Sequence, residues 1–195
     1  MMSNKNVLVI DGHPRASTLC EALAKAAANG AQEAGHNVRI MHVRDLEFNL
    51  NYVETEQGVP ALEPDLKNAQ DAMTWANHII IVHPLWWGSA PALLKGFLDR
   101  VLVSGFAYKY EKGRSIPLAL LKGRTARMII TSDSPGWYLR WILGHGWKKI
   151  MQKQVFKLCG IWPAPIAFLG PVRTSSAELR ADWLQKAAEW GRRGA

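Results

Sequence analysis

The chain has 195 residues, 48% of them hydrophobic and 21% charged, which suits one globular α/β domain over residues 1–195 and excludes a disordered or low-complexity protein. Its formal charge is +8, from 24 basic and 16 acidic residues, a balance that favours anionic partners; the excess is spread out, and no nucleic-acid reader motif accompanies it. Cys20 and Cys159 form no CxxC pair, and no apolar run reaches the roughly 18 residues of a membrane span, so a cytoplasmic, reducing setting fits.

Asn6 to Ile10 reads as a first strand. The turn DGHPR leads to Ser17 and Thr18, either of which can cap a helix, with Glu21 three residues after Thr18 at the capping-box spacing. That helix runs to about Gly35. Asn37 to Val43 is a second strand, with Val38 and Ile40 alternating against Arg39. Asp45 to Pro64 is long for a connection, so it reads as a pocket rim or an ordered surface loop. Asp65 to Trp75 is a helix with Leu66, Ala69 and Met73 on one face. Ile79 to Val82 is a short β-branched run, the mark of a strand buried on both sides.

Pro91 opens a helix through about Val103, and the basic, turn-rich stretch 111–124 reads as a connection or short hairpin. Ala126 to Thr131 is a fourth sheet strand. Trp137 to about Leu158 reads as helical, with a break at Gly144 and Gly146. Ile166 to Leu169 is the fifth strand. Ser175 caps the last helix, with Glu178 at the box position. Strands alternating with helices predict a three-layer sandwich around a parallel sheet of order 2-1-3-4-5.

In such sheets ligands bind outside the C-terminal ends of the strands. Three turns lie there. GHPRAST offers His13, the hydroxyls of Ser17 and Thr18 and the amides of a helix start, with Arg15 adding charge, a set suited to phosphate or to a simple cap. PLWWGSAP brings Trp86 and Trp87, whose faces suit a flat heterocycle, although indoles also serve as core residues. TSDSPGWY is small enough for close backbone approach and ends in Tyr138, with His145 seven residues on; the pair can hold or supply protons beside an electron carrier, or simply pack. None of the six histidines falls in a metal-binding motif.

With GHPRAST (12–18), PLWWGSAPALLKGFLDRVLVSGFAYKY (84–110) and GIWPAPIAFLG (160–170), the chain resembles the flavodoxin-like NAD(P)H:quinone oxidoreductases, a family that includes ancillary subunits of potassium efflux systems. The resemblance implies a non-covalent flavin, FMN or alternatively FAD. Its phosphate would lie near His13, Ser17, Thr18 and Leu19, and its ring against Pro84, Leu85, Trp86 and Trp87, with Thr131, Ser132, Asp133 and Ser134 on another edge. Tyr138 matches the tyrosine associated with hydride transfer. The accompanying histidine usually stands one residue earlier, where this chain has Gly144, so His145 either takes that place through a local shift or the role is missing. The turn Asp133-Ser134-Pro135 stands where many relatives carry two glycines. The resemblance also implies a homodimer in which Tyr108 and Tyr110 reach the partner's site, with NAD(P)H as diffusible donor and a quinone or similar electrophile as acceptor. Two other readings follow from it: a regulatory partner of a membrane transporter, docked at the inner face of the membrane, and an electron-transfer flavodoxin without hydride chemistry.

Overall fold

The computed structural model describes residues 4–50 and 61–194. Five parallel strands form the main sheet: β1 (Asn6–Asp11), β2 (Asn37–His42), β3 (His78–Pro84), β6 (Thr125–Thr131) and β7 (Ile166–Leu169), in the order β2-β1-β3-β6-β7. Counted along the sheet, this is the predicted 2-1-3-4-5 arrangement. β3 is central and all seven of its residues are buried, which is why Ile79–Val82 is an unbroken apolar run between two buried histidines. A two-stranded antiparallel hairpin, β4 (Tyr108–Lys109) with β5 (Leu118–Ala119), stands apart from the sheet, so that of the two readings of 111–124, connection or short hairpin, the hairpin is the one observed.

The two-residue period of the strands sorts the core into two layers. Leu8, Ile10, Ile79, Ile81, Met128 and Ile130 face α2 (Pro64–Trp75) and α3 (Ala92–Val101). Val7, Val9, Ile80, Val82 and Ile129 face α1 (Leu19–Glu33) and α6 (Ala177–Arg193). α1 and α6 cross at glycines. A Cβ on Gly30 would stand 2.1 Å from the Ala188 carbonyl oxygen, and one on Gly191 1.9 Å from that of Ala27. Only hydrogen side chains allow the two backbones to come so close. The ends of the described chain meet beside this crossing, where Lys5 Nζ donates to the Gly194 carbonyl at 2.8 Å.

Several expectations need correction. β2 is an edge strand, and Ile40 is 41% exposed instead of buried on a sheet face. The last helix is capped by Ser176, whose hydroxyl accepts from the Leu179 amide at 3.2 Å. Ser175 instead turns its hydroxyl onto the Val172 carbonyl at 2.6 Å, so Glu178 lies in the first turn without the box geometry. Of the long loop before α2, Tyr52, Gly58 and Pro60 lie outside the described residues. Its described ends are tied to α3: the buried Arg100 pairs with Glu63 at 2.6 Å and also donates to the Asn49 carbonyl.

The stretch after β6 is helical and broken at the glycines, as its sequence implies. A wide π-type turn, Tyr138–Ile142, ends where Gly144 and His145 take positive φ of 55° and 51°. α4 (Gly146–Ile150) resumes the helix, a second π-type segment follows over Met151–Phe156, and α5 (Lys157–Cys159) ends at Gly160. Both cysteines are buried. Among the described residues no helix is long and apolar enough to cross a membrane.

Candidate active site

The C-terminal ends of β1, β3 and β6 deliver the three turns to one edge of the sheet. The first is organised from beneath by Asp11, whose carboxylate is fully buried. It accepts from the His13 amide at 3.1 Å, from Arg44 Nη1 at 2.6 Å and from the His42 ring at 3.1 Å. Arg44 also reaches Glu21 at 3.4 Å. Nothing in the local sequence places Arg44 here; it arrives from the end of β2, more than thirty residues later in the chain.

His13 has a defined role for each ring nitrogen. Nδ1 accepts from the Arg15 amide at 3.0 Å, which leaves Nε2 to carry the proton of the neutral ring. Burial holds the ring's pKa below its ordinary value, with Asp11 opposing and Arg15 reinforcing that shift. His13 is therefore a neutral donor at the mouth of the turn. Ser17 sits in the left-handed region at φ 55°, and its amide donates to Glu21 Oε2 at 2.6 Å. Thr18 caps α1 by accepting from the Glu21 amide at 3.3 Å. The expected box is thus shifted by one residue on its return bond. The Thr18 hydroxyl keeps its own hydrogen, and the first amides of α1 have no carbonyl within the helix. This end of the site is a cluster of outward-pointing donors.

At the second turn, the Leu85 amide donates to the Thr131 carbonyl at 2.7 Å, locking β3 to β6 beyond the sheet. Trp86 and Ser89 exchange two backbone hydrogen bonds of 2.9 Å, and the residues between them, Trp87 and Gly88, have φ of 50° and 76°. This is the pattern of a type I′ turn. Its geometry separates the two indoles. Trp86 meets His13 edge to face at 5.7 Å and lines the cleft, while Trp87 stands fully exposed at the tip and outside the cleft lining.

At the third turn, the Ser132 amide donates to the Leu169 carbonyl at 2.9 Å, Ser134 N donates to Ser132 Oγ at 3.0 Å, and Asp133 accepts from the Arg173 amide at 2.7 Å. A Cβ on Gly170 would fall 2.1 Å from the Ser132 carbonyl oxygen, so β7's end presses directly on this wall.

These turns enclose an open cleft of about 510 Å³. His13, Arg15, Ser17, Thr18 and Leu19 line one end; Pro84, Leu85 and Trp86 line another wall, facing Thr131, Ser132, Asp133 and Ser134. Arg180 of α6 adds a second cation that the sequence did not point to. Its guanidinium is fixed by Nε donating to Ser175 Oγ at 2.8 Å and Nη2 to the Val172 carbonyl at 3.0 Å. Cys20 lies at the base, its thiol 3.2 Å from Thr131 Oγ1 and pushed up to about 12 by burial, which leaves it unreactive. The volume and donor set fit a phosphorylated flat heterocycle: cations and orphan amides at one end, an indole and small residues at the other. Among the described residues no group of three or more His, Cys, Asp or Glu is placed to hold a metal ion.

Tyr138 and His145 do not line this cleft. Tyr138 opens the π-type turn with its ring edge-on to Trp137 at 5.8 Å. His145 lines an adjoining apolar pocket of about 210 Å³ with Leu139, Phe168 and Leu85, and Leu85 is also a cleft residue. The imidazole stacks on Phe168 at 5.5 Å; its Nδ1 is buried without a hydrogen-bond partner among the described residues. Burial, with Lys148, Arg140 and Lys149 nearby, lowers its pKa, so the ring stays neutral to more acid pH than an ordinary imidazole. Tyr108 and Tyr110 meet edge-on at 5.6 Å on the hairpin, away from the cleft, and Tyr110 is 66% exposed.

A sheet of this order with a phosphate-suited first turn and an aromatic second turn defines a flavodoxin-like protein. The sequence pattern of the family described as flavodoxin-like fold matches residues 5–193. An uncharacterized NAD(P)H oxidoreductase of Haemophilus influenzae is 31% identical over 94% of this chain and 93% of its own. The ribosyldihydronicotinamide dehydrogenase [quinone] of Mus musculus is 29% identical over 74% of this chain and 76% of its own. Among solved structures, Smu.1420 from Streptococcus mutans superposes with a TM-score of 0.85 at 28% identity, covering 96% of this chain and 99% of that one. The chain belongs to the flavodoxin-like fold family and, within it, to the NAD(P)H oxidoreductases.

Proposed function

We propose that this protein is an FMN-dependent NAD(P)H:quinone oxidoreductase. The observation that carries the reading is the single cleft joining a cationic, donor-rich end at His13–Thr18 to an aromatic end at Trp86, with the apolar His145 pocket opening beside Leu85. Bound FMN would supply a two-electron carrier between NAD(P)H and the acceptor.

The chain's own residues do the rest. His13 Nε2, the Thr18 hydroxyl and the α1 amides hold the phosphate, with Arg15 and Arg180 supplying charge. Trp86, Pro84 and Leu85 would position the ring, with Thr131 through Ser134 on the facing wall. The pocket beside Leu85 receives donor and acceptor in turn, so the kinetics are ping-pong. Tyr138 and His145, on the segment that walls this pocket, steady charge on the reacting species. FAD is the alternative cofactor.

The proposal includes a homodimer. Trp87, Trp137, Trp141 and Ile142 are large exposed apolar side chains in the segments around the site, more than a lone soluble chain ordinarily leaves bare. Tyr110, 66% exposed, with Tyr108 beside it on the hairpin, would complete a partner's site. A transporter-docked role has only the basic balance in its favour, and the oxidoreductase reading stands ahead of it.

The test is the absorbance spectrum of the purified protein followed by anaerobic addition of NADPH. A yellow protein bleached by the addition is the expected result, and the extracted cofactor distinguishes FMN from FAD. A yellow protein that NADPH does not bleach would make it an electron-transfer flavodoxin; a colourless protein that takes up neither flavin would end the proposal.

A further inference from the structure

The positive excess, expected to be spread out, is concentrated. Residues 134–177 carry six of the 24 basic residues and no carboxylate, which leaves 18 basic residues for all 16 acidic ones elsewhere. This segment walls the His145 pocket. It supplies Leu139, Leu143, Ile150 and Phe168 to the lining, and the Trp86 turn supplies Leu85 and Gly88. No Asp or Glu occurs between Asp71 and Asp99 or between Asp133 and Glu178, so both stretches that build the pocket are free of carboxylates.

Arg140, Lys148 and Lys149 stand between the lining residues on this wall. The Lys149 amide donates to the His145 carbonyl at 3.0 Å, and its ammonium comes within 3.8 Å of the space that a Cβ on Gly144 would take. Arg140 lays its guanidinium over the exposed Trp141 ring, 4.9 Å from the centroid. The charges that act on the His145 ring are those of Lys148, Arg140 and Lys149, with no anion opposing them. Among the described residues none of the three is in an ion pair. Lys95, the one cation between Asp71 and Asp99, is by contrast paired with Asp99 at 2.7 Å. Arg15 and Arg180 belong to the cleft, where the reading above gives them to the FMN phosphate. The apolar pocket is thus flanked by three uncompensated cations, a combination that suits a neutral ring inside and a polyanion outside.

We infer that Arg140, Lys148 and Lys149 dock the phosphates of the hydride donor and thereby select NADPH over NADH. The inference rests on the oxidoreductase reading above and specifies its donor. Both donors carry the same nicotinamide and the same diphosphate. NADPH adds a phosphate ester on the adenosine ribose, worth about −1.5 to −2 further charge at pH 7. The nicotinamide occupies the pocket, and everything ionic must leave it past the 139–150 wall or past the uncharged Trp86 turn. The cations therefore act on the donor's binding and leave the hydride step itself unaltered.

The experiment compares three donors of rising charge on flavin-loaded protein: ribosyldihydronicotinamide, NADH and NADPH. NADPH should exceed NADH in kcat/KM by roughly tenfold or more, through KM, with similar limiting rates. Arg140→Gln, Lys148→Gln and Lys149→Gln should each lower the NADPH value by about two- to fivefold, lower the NADH value less, and leave ribosyldihydronicotinamide unchanged. Lys149→Arg should keep the preference. Raising sodium chloride from about 20 to about 300 mM should shrink the NADPH-to-NADH ratio of the wild type, which tests the inference without any substitution. In calorimetry, adenosine 2′,5′-bisphosphate should bind the flavin-loaded protein at least ~fivefold more tightly than 5′-AMP, and the triple Gln variant should remove the difference. Equal kcat/KM for NADH and NADPH overturns this inference and leaves the proposed function standing. So do variants that slow all three donors alike, or a donor ratio that salt does not move. Failure of every donor to reduce the flavin overturns the proposed function and this inference together.

Discussion

Trp147 donates its indole hydrogen to His83 Nε2 at 3.3 Å, while His83 Nδ1 lies 2.7 Å from the Pro84 carbonyl. A carbonyl can only accept, so Nδ1 carries the hydrogen and both ring nitrogens are committed. The two bonds fasten α4, beside the His145 pocket, to the strand end that begins the Trp86 turn. They also require a neutral imidazole, because a protonated ring has no lone pair for Trp147.

Acid stability should report this arrangement. Burial pulls His83 down to about 4, opposed weakly by its bond to Pro84, and the unfolded chain titrates near an ordinary histidine's 6.5. Between those values the unfolded state binds the extra proton, so stability is full above about pH 6.5 and falls as pH drops toward 4, by roughly 3 kcal/mol. His78, buried at the other end of β3 and pulled down to about 3, acts in the same direction. Urea midpoints from pH 7.5 to 4.5 should decline, and His83→Gln should flatten the slope. A wild-type midpoint unchanged over this range would count against a neutral buried ring.

Phosphate holding should show in affinity. Thr18→Ala removes a cap worth about 1 kcal/mol and a hydroxyl donor to a charged group worth about 1.5–3 kcal/mol. The Kd for FMN, read from quenching of flavin fluorescence, should rise by ~10–100-fold, with Thr18→Ser largely restoring it. If the Kd follows only the loss of stability, Thr18 serves the helix alone.

The sheet order and element types are legible because they rest on local pattern: the β-branched run before Pro84, the Thr18 and Glu21 spacing, the glycine break at 144–146. The three turns follow from topology once those elements are known. What escaped the sequence depends on distant pairs. Arg44 reaches Asp11 and Glu21 from the turn after β2, and Arg180 reaches the cleft from α6. Ser175 and Ser176 compete for one cap, and a bond to Val172 decides between them. Trp86 and Trp87 read alike in sequence; positive φ at Trp87 and Gly88 sends only Trp86 to the cleft.

Two glycine substitutions should separate packing from site. Gly191→Ala places a methyl carbon 1.9 Å from the Ala27 oxygen and should destabilise by about 1–3 kcal/mol through forced separation of α1 and α6. Gly170→Ala meets Ser132 instead and should weaken FMN binding beyond its effect on stability. Thermal unfolding with and without FMN distinguishes them: the ligand-induced rise in Tm should persist for the first and shrink for the second.

Chemistry at the adjoining pocket is tested by Tyr138→Phe. Flavin content should stay at the wild-type level while the rate of reduction by NADPH falls by roughly 10²-fold or more. Stopped-flow traces that match the wild type would remove Tyr138 from the reaction.

The crossing of α1 and α6 at Gly30 and Gly191 makes α1 depend on a helix made much later in the chain. While the protein is being synthesised, Ala24, Ala27 and Leu23 have no lid until residues near 190 have left the ribosome. Folding of that layer therefore waits until α6 has been made, and the nascent chain must be shielded from aggregation until then. A circular permutant that joins the neighbouring ends near Lys5 and Gly194 and opens elsewhere would place these two helices side by side in sequence and lift that delay.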